Sequence, residues 1–215
     1  MPPSDIDPDI MKNHPTLALI EQRVSANRFD PEHVLQGAEI EELVRLATRA
    51  PTAYHLQNWR FIAARTPQTK ARLRRVAQDQ PKVTEAAVTF IVCGLLPDHD
   101  TLAERLGPFV ATGLMSAHTV AGWREGARLQ YQDPTTARDE AVRSATFGAA
   151  TLIHAAEALG LVSGPMVGFD PEGVRREFGL RPNEVPVVLV AVGRAAPGNW
   201  PQKPRRPLAE VLDIL

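Results

Sequence analysis

The chain has 215 residues, 44% of them apolar, with 24 basic and 25 acidic side chains. Such a chain can bury a sizeable core, and its nearly cancelling charges exclude a global field that would recruit nucleic acid or an anionic membrane, so any phosphate site must be local. The sole cysteine, Cys93, excludes an internal disulfide and a cysteine-based zinc site, and fits a reducing cytoplasm.

In chain order, residues 1–15 hold three early prolines and several aspartates with nothing to pack, and are expected to form a flexible arm, neither signal peptide nor membrane anchor. Thr16 to Gln22 predicts a short helix, and Ile40, Leu43, Val44 and Ala47 recur at helical spacing before Pro51. Ala50 to Trp59 is a polar loop leading into a strand at Phe61 to Ala64. The cations of Thr69 to Gln78 alternate with Leu73 and Val76, which predicts a solvated helix rather than a nucleic-acid patch. AAVTFIVC (86–93) and VPVVLVAV (185–192) predict strands covered on both faces, with Pro186 near a strand start, where its missing donor does least harm. Residues 98–146 are weakly helical and could be a lid, a partner-contacting excursion or a peripheral helical pair. His118 and Trp123 are candidates there for lining a substrate funnel.

Phe147 to Leu161 is apolar or small except at Thr151, His154 and Glu157. This predicts a central helix buried on almost all sides, stopping at Gly160 in a left-handed turn, with a loop from Ser163 to Gly168 whose glycines let backbone come close to a ligand. One subunit with a single sheet offers such a helix too little cover, so a partner's helix is the expected second wall. Glu in place of Ala149 or Ala156 is therefore expected to leave monomer. Asp170, Pro171 and Gly179 bound one more helix. The tail, Asn199 to Leu215, is proline-rich and basic, then a short amphipathic helix. Helices alternating with apolar strands give a mixed α and β class with one sheet. GxGxxG, GxxxxGK[ST] and HExxH are all missing, and no metal site is expected.

Four motifs in order resemble the flavin-dependent nitroreductase family. RVSANRF (23–29) is similar to its RRSxRxF opening, and APTAYHLQNWRF (50–61) to its APSxxNxQPWRF segment. GLVSGPMVGFDPEGVRREFGL followed by EVPVVLVAVG resembles its GL-x-PxxGFD…VALIxLG half, and KPRRPLAEVL (203–212) its closing KSRRPLEEVV. The resemblance covers nearly all of the chain from Thr16 onward.

It implies an α+β sandwich-like fold, a central mixed or antiparallel sheet surrounded by helices, in one domain over 16–215 that forms an intertwined homodimer. It also implies one FMN per interface, NADH or NADPH as reductant, and a ping-pong passage of electrons to nitroaromatics, quinones or a related small electrophile. Same-family flavin chemistry such as dehalogenation or flavin fragmentation, and flavin binding without turnover, are the alternatives. By position, Arg23, Ser25, Lys203 and Arg205 would take the phosphate, which carries about two negative charges and calls for forked or pointed cations. Asn27 and Lys82 would face the flavin, Lys82 near N1, where a cation raises the reduction potential. The Val167 backbone N–H would meet N5, where hydride lands, with Met166 and Gly168 on either side and Pro165 against the ring. Pro51, Thr52 and His55 would arrive from the partner subunit. No protein side chain need be catalytic, because the flavin carries the hydride. The sequence departs from the family pattern at Val24 and Asn27, which replace cations, at Tyr54, which is bulky where small residues are usual, and at His55 and Asn58. By the resemblance, Tyr54 and His55 would sit near the stacking face, so these departures bear on cofactor affinity and substrate class.

Overall fold

A computed structural model of the protein describes residues 14–215. The expected arm lies outside the described residues except for His14 and Pro15, and Pro15 already opens the first helix. The elements are α1 (Pro15–Gln22), α2 (Gly37–Ala47), β1 (Trp59–Ala64), α3 (Pro67–Val76), α4 (Lys82–Glu85), β2 (Val88–Leu95), α5 (Leu102–Ala111), α6 (Ala117–Gln130), α7 (Pro134–Ala158), β3 (Val162–Met166), α8 (Pro171–Phe178) and β4 (Glu184–Gly193). The strands form one antiparallel sheet in the order β1-β2-β4-β3.

The two central strands show why the predicted apolar runs carry no polar alternation. Side chains point alternately to the two faces of a strand, and here both faces are covered. Val88, Phe90, Val92, Val190 and Val192 pack with Leu43 and Ala47 of α2 and with Ala145, Ala149, Leu152 and Ala156 of α7. Ile91, Cys93, Leu189 and Ala191 pack with Leu73 of α3, Val83 of α4 and Val174 of α8. Pro186 sits opposite Cys93, beside a register shift at Val92/Cys93, where a ladder bond is already interrupted. Burial pushes the Cys93 thiol up to about 12, so it stays protonated.

The central helix is longer than the sequence suggested. α7 starts behind the Asp133 cap with Pro134 in its first turn and runs 25 residues. Its first half hides small or polar residues, Ala137, Glu140, Ala141 and Ser144, under an outward face of charges, so its apolar periodicity is weak. It approaches β2 so closely that a Cβ on Gly94 would overlap the Ala141 carbonyl. The stop at Gly160 is as expected, with φ +74. Within one chain the helix is left partly open: Phe147 is 48% exposed, Thr151 and His154 are half-buried and Ala158 is exposed. Ala149 and Ala156, chosen above as interface positions, are buried at 4% and 0% inside this chain's own core. The polar ridge marks the outward face of the helix.

Two further expectations are corrected. Residues 162–166 are an edge strand rather than a loop, and its Ser-Gly-Pro composition, a turn signal in isolation, serves other ends. Pro165 is tolerated because the strand lies at the sheet edge. Gly164 is needed because a Cβ there would lie 2.5 Å from the Ala26 carbonyl oxygen. The tail contains no amphipathic helix. Pro201, Pro204 and Pro207 interrupt it, leaving a single turn of 3-10 helix at Leu208–Glu210, and every residue from 201 onward is exposed.

Candidate functional site

The predicted phosphate residues meet at the β3 edge. The segment after α1 runs beside β3: Ser25 bridges Ser163 in parallel, and the Ala26 N–H donates to the Ser163 carbonyl at 2.8 Å. Arg23 and Ser25 are thereby placed side by side, with the guanidinium 3.5 Å from the hydroxyl. The tail returns over them. Gln202 donates to the Arg23 carbonyl at 2.9 Å, and Ser25, Gln202, Lys203 and Arg205 line a small cleft of about 50 Å³. Among the described residues no carboxylate lies within 4.0 Å of Arg23, Lys82, Lys203 or Arg205, in a molecule where fourteen such pairs occur. A cluster of unneutralised donors around a hydroxyl can hold a dianion.

Lys82 stands at the start of α4, its ammonium 3.5 Å from the Asn27 side-chain oxygen. Burial, and then the charge of Lys203, hold its pKa below the ordinary lysine value. The short helix carrying it is fixed from α3, because Lys70 donates to the Thr84 and Ala86 carbonyls at 2.8 and 2.7 Å. The helix expected to be merely solvated thus anchors a site residue. β3 leads out through buried Met166 to Val167, which is 75% exposed, and Gly168. Gln80 donates to the Gly168 carbonyl at 2.8 Å, tying this turn to the Lys82 segment.

Pro51, Thr52 and His55 are elsewhere. They precede β1, the opposite edge of the sheet. Register places Met166 across from Leu189, then Ile91, then Ile62, three residues beyond Trp59. The two edges are therefore separated by three strand spacings, about 14 Å, and by about 10 Å along the strands. Within one chain the structure brings ten of the thirteen predicted residues to one edge and leaves these three at the other.

The β1 loop is strained: Tyr54, His55 and Gln57 all have positive φ, at 51, 59 and 44 degrees. The Thr52 hydroxyl accepts from the Gln57 N–H at 2.9 Å and His55 meets the Gln57 amide at 2.9 Å. Tyr54 turns away from the loop's exposed side. Its hydroxyl donates to Gln130 at 2.8 Å, and its ring lies edge-on to Trp123 and Tyr131, each at 6.3 Å. Within this chain the bulky ring fits because α6 provides a pocket, where a Cβ on Gly126 would lie 3.3 Å from the hydroxyl. Trp123 is occupied as that wall, and His118 is exposed.

Sequence reasoning missed Asn199, Gln202 and Gln80. Asn199 clasps the 27–28 backbone through both atoms of its amide, accepting from Asn27 at 2.7 Å and Arg28 at 3.0 Å and donating to the Arg28 carbonyl at 2.9 Å. Such contacts span some 170 residues of sequence and leave no local pattern.

The fold and cleft define a class: an antiparallel α+β sandwich with a cation-lined edge. The nitroreductase family model matches residues 20–194, and the chain belongs to the nitroreductase family. It is 31% identical over 200 residues to the provisionally named NAD(P)H nitroreductase YodC of Bacillus subtilis, covering 91% of this chain and 96% of that one. It is 32% identical over 197 residues to an NADH dehydrogenase of Thermus thermophilus, covering 89% and 91%. A provisional nitroreductase of Exiguobacterium sibiricum, solved in complex with FMN, shares the fold at a TM-score of 0.85 and 22% identity, covering 93% and 97%. Among the described residues no group of His, Cys, Asp or Glu is arranged to hold a metal, and no helix is long and apolar enough to cross a membrane.

Proposed function

We propose that this protein is an FMN-dependent oxidoreductase that uses NADH or NADPH to reduce a small electrophile, a nitroaromatic or quinone, in two alternating half-reactions. The observation that carries this is the unneutralised set of Arg23, Ser25, Lys203 and Arg205 at the β3 edge, continuous with Asn27 and Lys82 and with the exposed turn at Val167. The donor set fits flavin mononucleotide: three cations and a hydroxyl for a phosphate, and a cation beyond them for an edge that becomes anionic on reduction. The relatives named for NADH or NAD(P)H, and the one solved with FMN, support the same reading.

The flavin, when bound, supplies hydride acceptance and donation. The chain's own residues bind and orient. Arg23, Lys203 and Arg205 hold the phosphate, with Ser25 donating a neutral hydrogen bond. Lys82 places positive charge beside the ring, and it is primed to do so because burial and Lys203 make its charge costly until an anion arrives. Pro165, Met166, Val167 and Gly168 form the backbone wall, with the Val167 N–H offered to N5. Pro51, Thr52 and His55 close the site from the partner of a homodimer. The separation of the two sheet edges supports that arrangement, as does the open face of α7, where Thr151, His154 and Ala158 join Leu19 and Ile20 of α1 in an apolar trough of about 660 Å³. The whole of 16–215 is one domain on this reading, working in the cytoplasm.

Purified protein should take up FMN, turn yellow, bleach with NADH or NADPH under anaerobic conditions and recolour on adding a quinone or nitroaromatic. Protein that stays colourless after incubation with FMN would end the proposal. Thr151→Glu and Ala158→Glu should give monomers on size exclusion with loss of flavin, and a flavin-loaded monomer would contradict the shared site.

A further inference from the structure

A second groove opens beside the proposed flavin cleft. It encloses about 630 Å³, is bounded by the 27–31 segment, the Lys82 helix and the 196–200 turn, and shares only Asn27 and Lys82 with the proposed flavin residues. Two of its side chains stand outside the proposed flavin residues, although Trp200 also borders the cleft of Lys203 and Arg205. Trp200 is 63% exposed, with Lys203 Nζ 5.2 Å from its ring centre. Arg28 is exposed and, among the described residues, has no carboxylate within 4.0 Å.

The geometry holding these two in place is specific. Asn199 clasps the Asn27–Arg28 backbone to the 196–199 turn, so Arg28 and Trp200 ride on one rigid unit. Gly198, at φ +93, lies under the Arg28 side chain: a Cβ there would be 3.3 Å from Arg28 Cδ and 3.4 Å from Nε. The bare backbone lets the arginine cross it into the groove two residues from the indole.

An exposed indole face suits a stacked base, and an unpaired guanidinium suits a phosphate taken by two parallel donors. We infer that this groove binds the adenosine end of the reductant, with adenine on Trp200 and the 2′-phosphate on Arg28, and so selects NADPH over NADH. The inference rests on the flavin reading only for the purpose of the nucleotide. Continuity through Asn27 and Lys82 brings the other end of such a ligand to the flavin. With Lys82 turned to the flavin, Arg28 is the cation left to this groove, whose lining also carries Glu85.

Calorimetric titration of the flavin-loaded protein with adenosine 2′,5′-bisphosphate and with adenosine 5′-monophosphate tests it. The bisphosphate should bind about tenfold or more tightly, Arg28→Gln should erase that preference, and Trp200→Ala should weaken both nucleotides while Trp200→Phe retains most of the affinity. In steady state, the ratio of kcat/KM for NADPH to that for NADH should fall about tenfold in Arg28→Gln, with Arg28→Lys recovering part of it. Equal affinities for the two nucleotides, or a preference that survives Arg28→Gln, would overturn the inference. Protein that takes up no FMN but still binds the bisphosphate preferentially would sink the flavin reading and leave the groove assignment standing.

Discussion

The two edges of the sheet carry opposite kinds of loop. At the β3 edge the side chains are electrostatically loaded: a fifth extended segment lies against the strand, a glycine admits it, and Arg23, Lys82, Lys203 and Arg205 have no carboxylate within 4.0 Å among the described residues, while the left-handed non-glycine residues nearby are Gln78 and Asp79, ahead of Lys82. At the β1 edge the loop itself is strained, with three residues other than glycine in left-handed conformations, each costing about 1–3 kcal/mol. Repulsion at the first edge is relieved when an anion binds. Strain at the second is held by contacts within the chain, Thr52 to Gln57 and Tyr54 into α6. On the proposed function, one edge receives the ligand and the other presents a fixed shape to the partner subunit.

The largest effects should come from stripping charge at the first edge. Arg23→Ala and Arg205→Ala each remove charge-assisted hydrogen bonds worth about 1.5–3 kcal/mol. The double variant should weaken FMN binding at least a hundredfold in a fluorescence titration, with little change in the unfolding midpoint. A double variant that binds FMN normally would remove this edge from consideration. Next comes the close approach itself. Gly164→Ala puts a methyl 2.5 Å from a backbone oxygen, so strand and segment must part, at about 1–3 kcal/mol in denaturant unfolding and with a further loss of FMN affinity. Unchanged stability would mean that the 23–27 segment is not held against β3.

This asymmetry explains how much could be foreseen. The gathering of Arg23, Ser25, Lys203 and Arg205 at the β3 edge was legible because it resides in residue types, and their motifs stand in family order. The central strands were legible because burial on both faces leaves no polar alternation. The strand identity of 162–166 was hidden, because Ser163, Gly164 and Pro165 are chosen for contacts with Ala26 and an open edge rather than for strand propensity. The first half of α7 was hidden because small residues, not large apolar ones, face the sheet. The orientation of Tyr54 was hidden because it depends on a cavity made by α6, more than sixty residues later. Asn199 was hidden for the same reason.

Lys82 links the two properties that make the β3 edge distinctive, charge and partial burial. In the free protein its pKa is depressed, first by burial and then by Lys203. Between that depressed value and the ordinary lysine value the unfolded chain binds more protons than the folded one, so the stability of the free protein rises with pH across that window. A bound anion raises the pKa again. FMN binding should then take up a proton in the alkaline range, and affinity should fall as pH rises through the depressed value. Calorimetry in buffers of different ionisation enthalpy reads the uptake directly. Lys82→Met should abolish it and lower affinity up to about tenfold. Uptake that persists in Lys82→Met would assign it to another group.

The smallest effect, and the one that most sharpens the contrast, belongs to the strained edge. Tyr54→Phe keeps the ring against Trp123 and Tyr131 and removes only the 2.8 Å hydrogen bond to Gln130. A hydrogen bond of this kind contributes about 0.5–1.5 kcal/mol, so unfolding should become easier by that amount or less. FMN affinity should change at most twofold or threefold, because the hydroxyl acts on the flavin only by keeping the loop in its left-handed shape. A tenfold loss of FMN affinity with unchanged stability would reverse that assignment. It would mean that the hydroxyl leaves Gln130 in the assembled protein and reaches the flavin, as the position of Tyr54 in the sequence motif first suggested.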